Sequence, residues 1–309
     1  MLDDNLDQDE QKETFLENFR KAGQIAKKIK KHLPTLLNPG ESVLDIVETI
    51  EKMIKDEGGE PGFPVNISIN SIAAHYTASI DDATLIGDND IIKIDFGVAV
   101  NGCISDNAIT IDLSEKNQKL LEASKEALRV ATEMIKPGVG NGDIGKAIEN
   151  KIKEYGFRPI ENLTGHLIEP YNLHAGIDVP SVARENDYFF KEGDVVAIEP
   201  FATDGAGRVV DTDMVEIYSV QSRANLRMRA SQDLLFKLTK RYLTLPFAKR
   251  WIVDLVKTKL VLRAALNELV ENNCLHPYYV LKEEKGGLVS QFEHTLIVQK
   301  DGAEVLGGD

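Results

Sequence analysis

The stretch Ile91–Leu113, IIKIDFGVAVNGCISDNAITIDL, reads as a strand, a two-residue turn and a returning strand. Asn-Gly between two apolar runs is a strong hairpin signal, because the tight primed turn needs positive φ at both central residues. With Asn101 and Gly102 in the turn, Val100 pairs with Cys103 and Gly97 falls opposite Asp106. Side chains alternate with period two, so Asp95, Gly97 and Asp106 share one face. The two carboxylates are then diagonal neighbours, roughly 7 to 8 Å apart at the backbone and closer at their oxygens. On a face hemmed by isoleucine and valine they repel each other and are costly to desolvate. A divalent cation removes both objections. The competing reading is a wet sheet face on which both aspartates are simply solvated.

Working outward, residues 1–12 are acidic and polar and read as a tail. Phe15, Phe19, Ala22, Ile25, Ala26 and Ile29 recur at helical spacing over 13–31. A second helix starts near Ser42, with Ser42 and Asp45 spaced as a capping pair, and stops at Gly58-Gly59. A strand is expected over 65–72, helices over 115–135 and 143–155, and a second hairpin pairing 195–203 with 208–220 around Asp204-Gly205-Ala206-Gly207. VVAIEPF in that hairpin echoes IIKIDFG in the first, an apolar run with a carboxylate at its exit, which suggests an internal duplication. Gly286-Gly287 leads into a last main strand over 289–298. The outline is α+β.

Net charge is −14 over 309 residues, which argues against a broad nucleic-acid surface and against DNA as partner. The charge is uneven. Between Arg223 and Arg263 eleven Lys or Arg face only Asp233 and Asp254, a local +9 on a body of −23. That segment is apolar at helical spacing and divided by Pro246, so a distinct helical module is expected there. Two distant cysteines, no membrane-length apolar run and no leader-like N-terminus suit a cytoplasmic protein, with a monomer as the default.

Other chemistry-bearing groups sit in similar contexts. Glu199 closes the apolar run VVAI before Pro200, and Glu293 lies within SQFEHTLIV. His166 and His174 occupy a turn-rich segment, and His75 follows IAA after the strand at 65. Strands of this kind rarely carry carboxylates without a partner.

Five segments then fall in a familiar order: GFPVNISINSIAAHYT, IKIDFGVAVNGCISDNAI, GHLIEPYNLHAG, KEGDVVAIEPFATDGAG and QFEHT. Together they resemble the successive signatures of type 2 methionine aminopeptidases, in a form more similar to archaeal than to eukaryotic members. The resemblance implies a pita-bread fold, two pseudo-twofold halves around a curved antiparallel sheet over 13–309, interrupted by a helical insertion at about 222–275. It implies Asp95, Asp106, His166, Glu199 and Glu293 as ligands of two divalent ions, a set suited to Co, Mn, Fe or Zn. Glu199 would also take a proton from water, His174 would face the carbonyl oxygen and His75 the departing nitrogen. Phe63 would line the methionine pocket. The substrates would be N-termini of nascent polypeptides with a small second residue, and the basic insertion becomes a candidate for transient ribosome docking. Two rival readings remain: a prolidase-like X-Pro dipeptidase, and a non-catalytic pita-bread factor that binds RNA or protein.

Overall fold

The computed structural model describes residues 8–308. Helices α1 (Gln8–Leu36) and α2 (Val43–Asp56) are followed by β1 (Glu60–Pro61), β2 (Asn66–Ile69), β3 (Ile72–Ala74), β4 (Ile91–Val100) and β5 (Cys103–Asp112). Strand β4 is the spine of the first sheet, with β5 on one side and β1 and β2 end to end on the other. Asn101 at φ 50° and Gly102 at φ 81° make the expected tight turn, with Val100 opposite Cys103 and Gly97 opposite Asp106. Alternation then does the sorting. Ile67, Ile92, Ile94, Phe96 and Val98 join Ile25, Ile29, Ile46 and Ile50 of the two helices in one core, and the other face is left for polar residues. Full burial of each such side chain stabilises by about 1.5–3 kcal/mol. The Ser42 hydroxyl accepts from the Asp45 N–H and caps α2.

The second half repeats the plan. Helices α3 (Gln118–Met134) and α4 (Asn141–Glu154) precede β6 (Arg158–Pro159), β7 (Thr164–Leu167), β8 (Asp178–Pro180), β9 (Val195–Ile198), β10 (Phe201–Thr203) and β11 (Val209–Val220). Next come α5 (Arg229–Tyr242), β12 (Phe247–Ala248), a 3₁₀ helix (Lys249–Leu255), α6 (Lys259–Glu271), β13 (Leu275–Glu283), β14 (Val289–Gln291), β15 (His294–Gln299) and β16 (Gly302–Leu306). A sheet in the order β16-β15-β9-β7-β8 packs its apolar face, including Val196, Ile198 and Leu296, on α3 and α4.

Two threonines stitch the halves together. The Thr295 hydroxyl accepts from the Asp106 N–H and donates to the Asp106 carbonyl, at 2.6 and 3.0 Å. Thr110 does the same to Gln291, at 2.8 and 2.6 Å. Between them the Glu293 N–H bonds the Ala108 carbonyl. The polar faces of both sheets therefore meet along one seam.

Several expectations need correction. Helix α1 runs from Gln8, so residues 8–12 of the supposed tail are helical, and residues 1–7 lie outside the described residues. The strand at 65–72 is two strands, turned at Asn70 with φ 53°. The second hairpin does not exist. Strand β9 ends at Ile198 and β10 starts at Phe201, and β11 pairs with β12 and β13 rather than with either. The cause is Glu283, whose carboxylate accepts from the N–H groups of Ala206, Gly207, Lys285 and Gly287 and diverts the chain to another sheet. The strand at 289–298 is likewise broken between Gln291 and His294.

The basic segment holds α5, the 3₁₀ helix and α6 around a separate apolar cluster that includes Leu234, Leu238, Leu262 and Leu266. It is tied to the body by its own charges. Buried Arg250 bonds Glu51 of α2, Thr77 and the Ala78 carbonyl, while Lys249 pairs with Glu216 and Lys259 with Asp81. Three of its eleven cations are therefore engaged in holding it in place. Among the described residues no helix is long and apolar enough to cross a membrane.

Candidate metal centre

The seam between the halves explains how five distant side chains converge. Asp95 and Asp106 project from the polar face of the first hairpin as the register required. Glu293 enters at the break between β14 and β15, and Glu199 at the matching break between β9 and β10, where Pro200 lacks an N–H to continue a ladder. His166 is carried on β7 opposite Ala197, and Gly165 beside it lets the strands close up, since a Cβ there would meet the Ala197 carbonyl at 2.3 Å. All five line one cavity of about 220 Å³, together with His75, His174 and Phe63.

The geometry is that of donors waiting for a cation. Ligand atoms of Asp106, His166 and Glu293 lie within 4.8 Å of one another. His166 Nε2 is 3.7 Å from Asp106 Oδ2 and 3.8 Å from Glu199 Oε1, too long for hydrogen bonds and suited to atoms sharing an ion. Asp95 Oδ1, Asp106 Oδ1 and Glu293 Oε1 are buried without a hydrogen-bond partner among the described residues. The His166 Nδ1–H donates to the Leu167 carbonyl at 3.3 Å, which leaves the Nε2 lone pair facing the carboxylates.

Electrostatics agree. Burial, then the Asp95 charge, raises Asp106 well above the ordinary carboxylate range. Glu199 and Glu293 are raised by burial and then by their acidic neighbours, and burial raises Asp95 to about 7. Four crowded carboxylates of this kind are unfavourable until a multivalent cation neutralises them. Burial holds His166 neutral, down to about 3, as a ligand must be. The residues present fit a divalent metal.

Two more histidines line the cavity. His75 sits at φ 65°, a conformation that is rare outside glycine and marks a constrained position. Its Nδ1–H donates to the Tyr279 carbonyl at 3.0 Å, and burial lowers it to about 4, so its Nε2 is an acceptor. His174 packs edge-on against His166 at 4.4 Å and keeps an exposed edge at the mouth. Desolvation of the rest of the ring, with His276 beside it, lowers it to about 4. Phe63 packs against Gly97, where a Cβ would approach the ring to 2.5 Å.

Several residues of the site lie outside the set expected from the sequence. The Gln291 Nε2 donates to both Glu199 and Glu293 at 3.4 Å. Tyr278 stands between His75 and His174, whereas its neighbour Tyr279 turns to the other face of the β11–β13 ribbon. Asn66 lines the wall opposite Asp95. Gln291 opens the QFEHT segment and Asn66 lies within GFPVNISINSIAAHYT, so both stood inside quoted segments without being singled out. A larger cavity of about 670 Å³ lies behind that ribbon, among Glu216, Tyr218, Lys249 and Tyr279, but none of the five clustered donors faces it.

Comparison with known proteins gives the same direction. The family model for metallopeptidase family M24 matches residues 17–230. The methionine aminopeptidase of Pyrococcus horikoshii is 46% identical over 285 residues, covering 92% of this chain and 96% of that protein. Among solved structures, a thermophilic Arx1 has a TM-score of 0.85 at 20% identity, covering 96% of this chain and 91% of that one. A methionine aminopeptidase from Thermotoga maritima has a TM-score of 0.70 at 19% identity, covering 96% and 97%. The two structural likenesses speak for the fold; the family model and the close relative speak for descent. The chain belongs to metallopeptidase family M24, has that family's pita-bread fold, and shares most of its length with archaeal methionine aminopeptidases.

Proposed function

We propose that this protein releases the N-terminal methionine of newly made polypeptides whose second residue is small, using two divalent ions held by Asp95, Asp106, His166, Glu199 and Glu293. The observation that carries the reading is the convergence of these donors, with orphaned carboxylate oxygens, on one cavity that also receives His75, His174 and Phe63. Asp95, Asp106, His166, Glu199 and Glu293 would together hold the ions. Co, Mn, Fe and Zn all suit such a set. The chemistry such ions supply is Lewis acidity, an acidified water and a polarised scissile carbonyl.

The chain's own groups do the rest. Glu199 accepts the proton of the attacking water at its carboxylate and returns it to the leaving nitrogen as the C–N bond breaks. His174, at the mouth, donates to the carbonyl oxygen as negative charge builds there. The His75 Nδ1–H is committed to Tyr279, so its Nε2 accepts the scissile N–H and holds the leaving nitrogen in place. Phe63, with Leu163, Phe201 and Ile217 of the same cavity, gives the methionine side chain an apolar seat and keeps water off the reacting bond.

Cytoplasmic action as a monomer on emerging chains fits this reading. The insertion at 222–275 is taken as a subdomain, and its cations that are not paired with the body form a candidate docking face for ribosomal RNA, tested by salt-sensitive co-sedimentation with ribosomes. Comparing hydrolysis of Met-Gly and X-Pro dipeptides tests the main proposal. Preference for X-Pro would move the assignment to a prolidase, and loss of all hydrolysis would favour a binding factor.

A further inference from the structure

Asn66 stands on β2 directly opposite Asp95 on β4, so its side chain shares the face that carries the carboxylates. It is 3% exposed and lines the cavity. Its Nδ2 donates to the Pro64 carbonyl at 3.0 Å, which settles the orientation of the amide. The Oδ1 is buried and finds no hydrogen-bond partner among the described residues. Asn162, also on the cavity, is different: both ends of its amide are taken by the Val209 backbone, at 2.9 and 3.0 Å. A buried acceptor without a donor is costly, and in a binding cavity it implies a donor brought by the ligand.

The next step rests on the methionine-releasing reading above. The thioether of a methionine side chain brings no N–H or O–H, and the scissile carbonyl is itself an acceptor. Only two donors remain near the bond to be cut, the amide N–H and the free α-amino group. His75 Nε2 serves the first. We propose that Asn66 Oδ1 accepts a hydrogen bond from the α-amino group of the substrate and so favours ligands that carry this nitrogen over those that lack it. A substrate that lacks the amine brings no donor to this acceptor, and the orphan persists in its complex.

The test is calorimetric titration of the manganese-loaded protein with methionine and with its desamino analogue, the same acid lacking the amino group. Wild type is expected to prefer methionine. Asn66→Leu keeps the shape and removes the acceptor, and should cut that preference about tenfold or more while leaving the analogue's affinity within about twofold. Asn66→Asp retains an acceptor and should keep the preference. If the Leu variant does not fold, Asn66→Ala carries the same comparison. Equal weakening of both acids, or a preference that survives in the Leu and Ala variants, overturns the proposal. So does weaker manganese binding with unchanged preference, which would make Asn66 a support for Asp95. Failure of the underlying reading looks different: wild-type protein would release no methionine from Met-Gly-Met with any metal.

Discussion

Gly97 offers a sharp test of the cavity wall. A Cβ added there would lie 2.5 Å from Phe63 Cε1 and 2.7 Å from Cδ1, against ordinary carbon contacts of about 3.5–4 Å. Gly97 is not at positive φ, so alanine is tolerated by the backbone and the conflict is purely one of side chains. Ile104 already stands 3.2 Å from the same methyl and closes one direction of retreat. The Phe63 ring must therefore move by about 1 Å towards the cavity, where only about 220 Å³ is available. Overpacking of this kind costs about 1–3 kcal/mol. If that cost falls on the seat of the methionine side chain, kcat/KM for Met-Gly-Met drops about 5- to 150-fold in Gly97→Ala. A substrate beginning with norvaline, one atom shorter, should lose much less. Adding Phe63→Leu should recover much of the methionine activity, a non-additivity expected only of touching residues. Folded Gly97→Ala with unchanged methionine kinetics, or equal losses on both substrates, would refute the placement of Phe63 at the methionine side chain.

Three further outcomes are expected. His166→Ala and Asp106→Ala should each abolish turnover while circular dichroism stays native; retained activity in either removes that residue from the centre. Burial raises the Glu51 carboxyl and lowers Arg250 despite their mutual attraction, so Arg250→Met leaves a costly buried carboxylate. It should destabilise by about 3–5 kcal/mol, a melting loss of roughly 6 °C or more, with part recovered in the Glu51→Met, Arg250→Met pair; an unshifted melt means the pair does not hold the insertion. Burial alone would raise Glu283, but the N–H groups of Gly287, Ala206, Lys285 and Gly207 outweigh it and hold the carboxyl below its usual range. Its stabilisation is thus present above the unfolded pKa of about 4.3 and is lost as pH falls through the lower folded value. The urea-denaturation gap between wild type and Glu283→Gln should shrink from pH 6 towards pH 3, and a gap independent of pH contradicts the argument.

The first hairpin was legible because its information is local. Asn101-Gly102 sets the turn, the turn sets the register, and the register places Asp95 and Asp106. Glu199 and Glu293 stood out as carboxylates inside apolar runs. What those runs concealed was their own interruption. Both strands break at the ligand, and continuous hydrophobicity reads the same through a break as through a strand. The false second hairpin has the same origin, since the residue that redirects β11 is Glu283, 76 positions from Gly207. Gln291, Asn66 and Tyr278 were hidden for a related reason. A neutral amide or a tyrosine on a strand is unremarkable until the fold brings its partners to it.

The most direct test of the whole account is free methionine released from Met-Gly-Met by metal-stripped protein, with Mn, Co, Fe or Zn added back in turn. The account predicts silence without metal, turnover with at least one of the four, and silence with all four in Asp106→Ala. Turnover that ignores chelation, or folded wild-type protein inert with every metal, would contradict it.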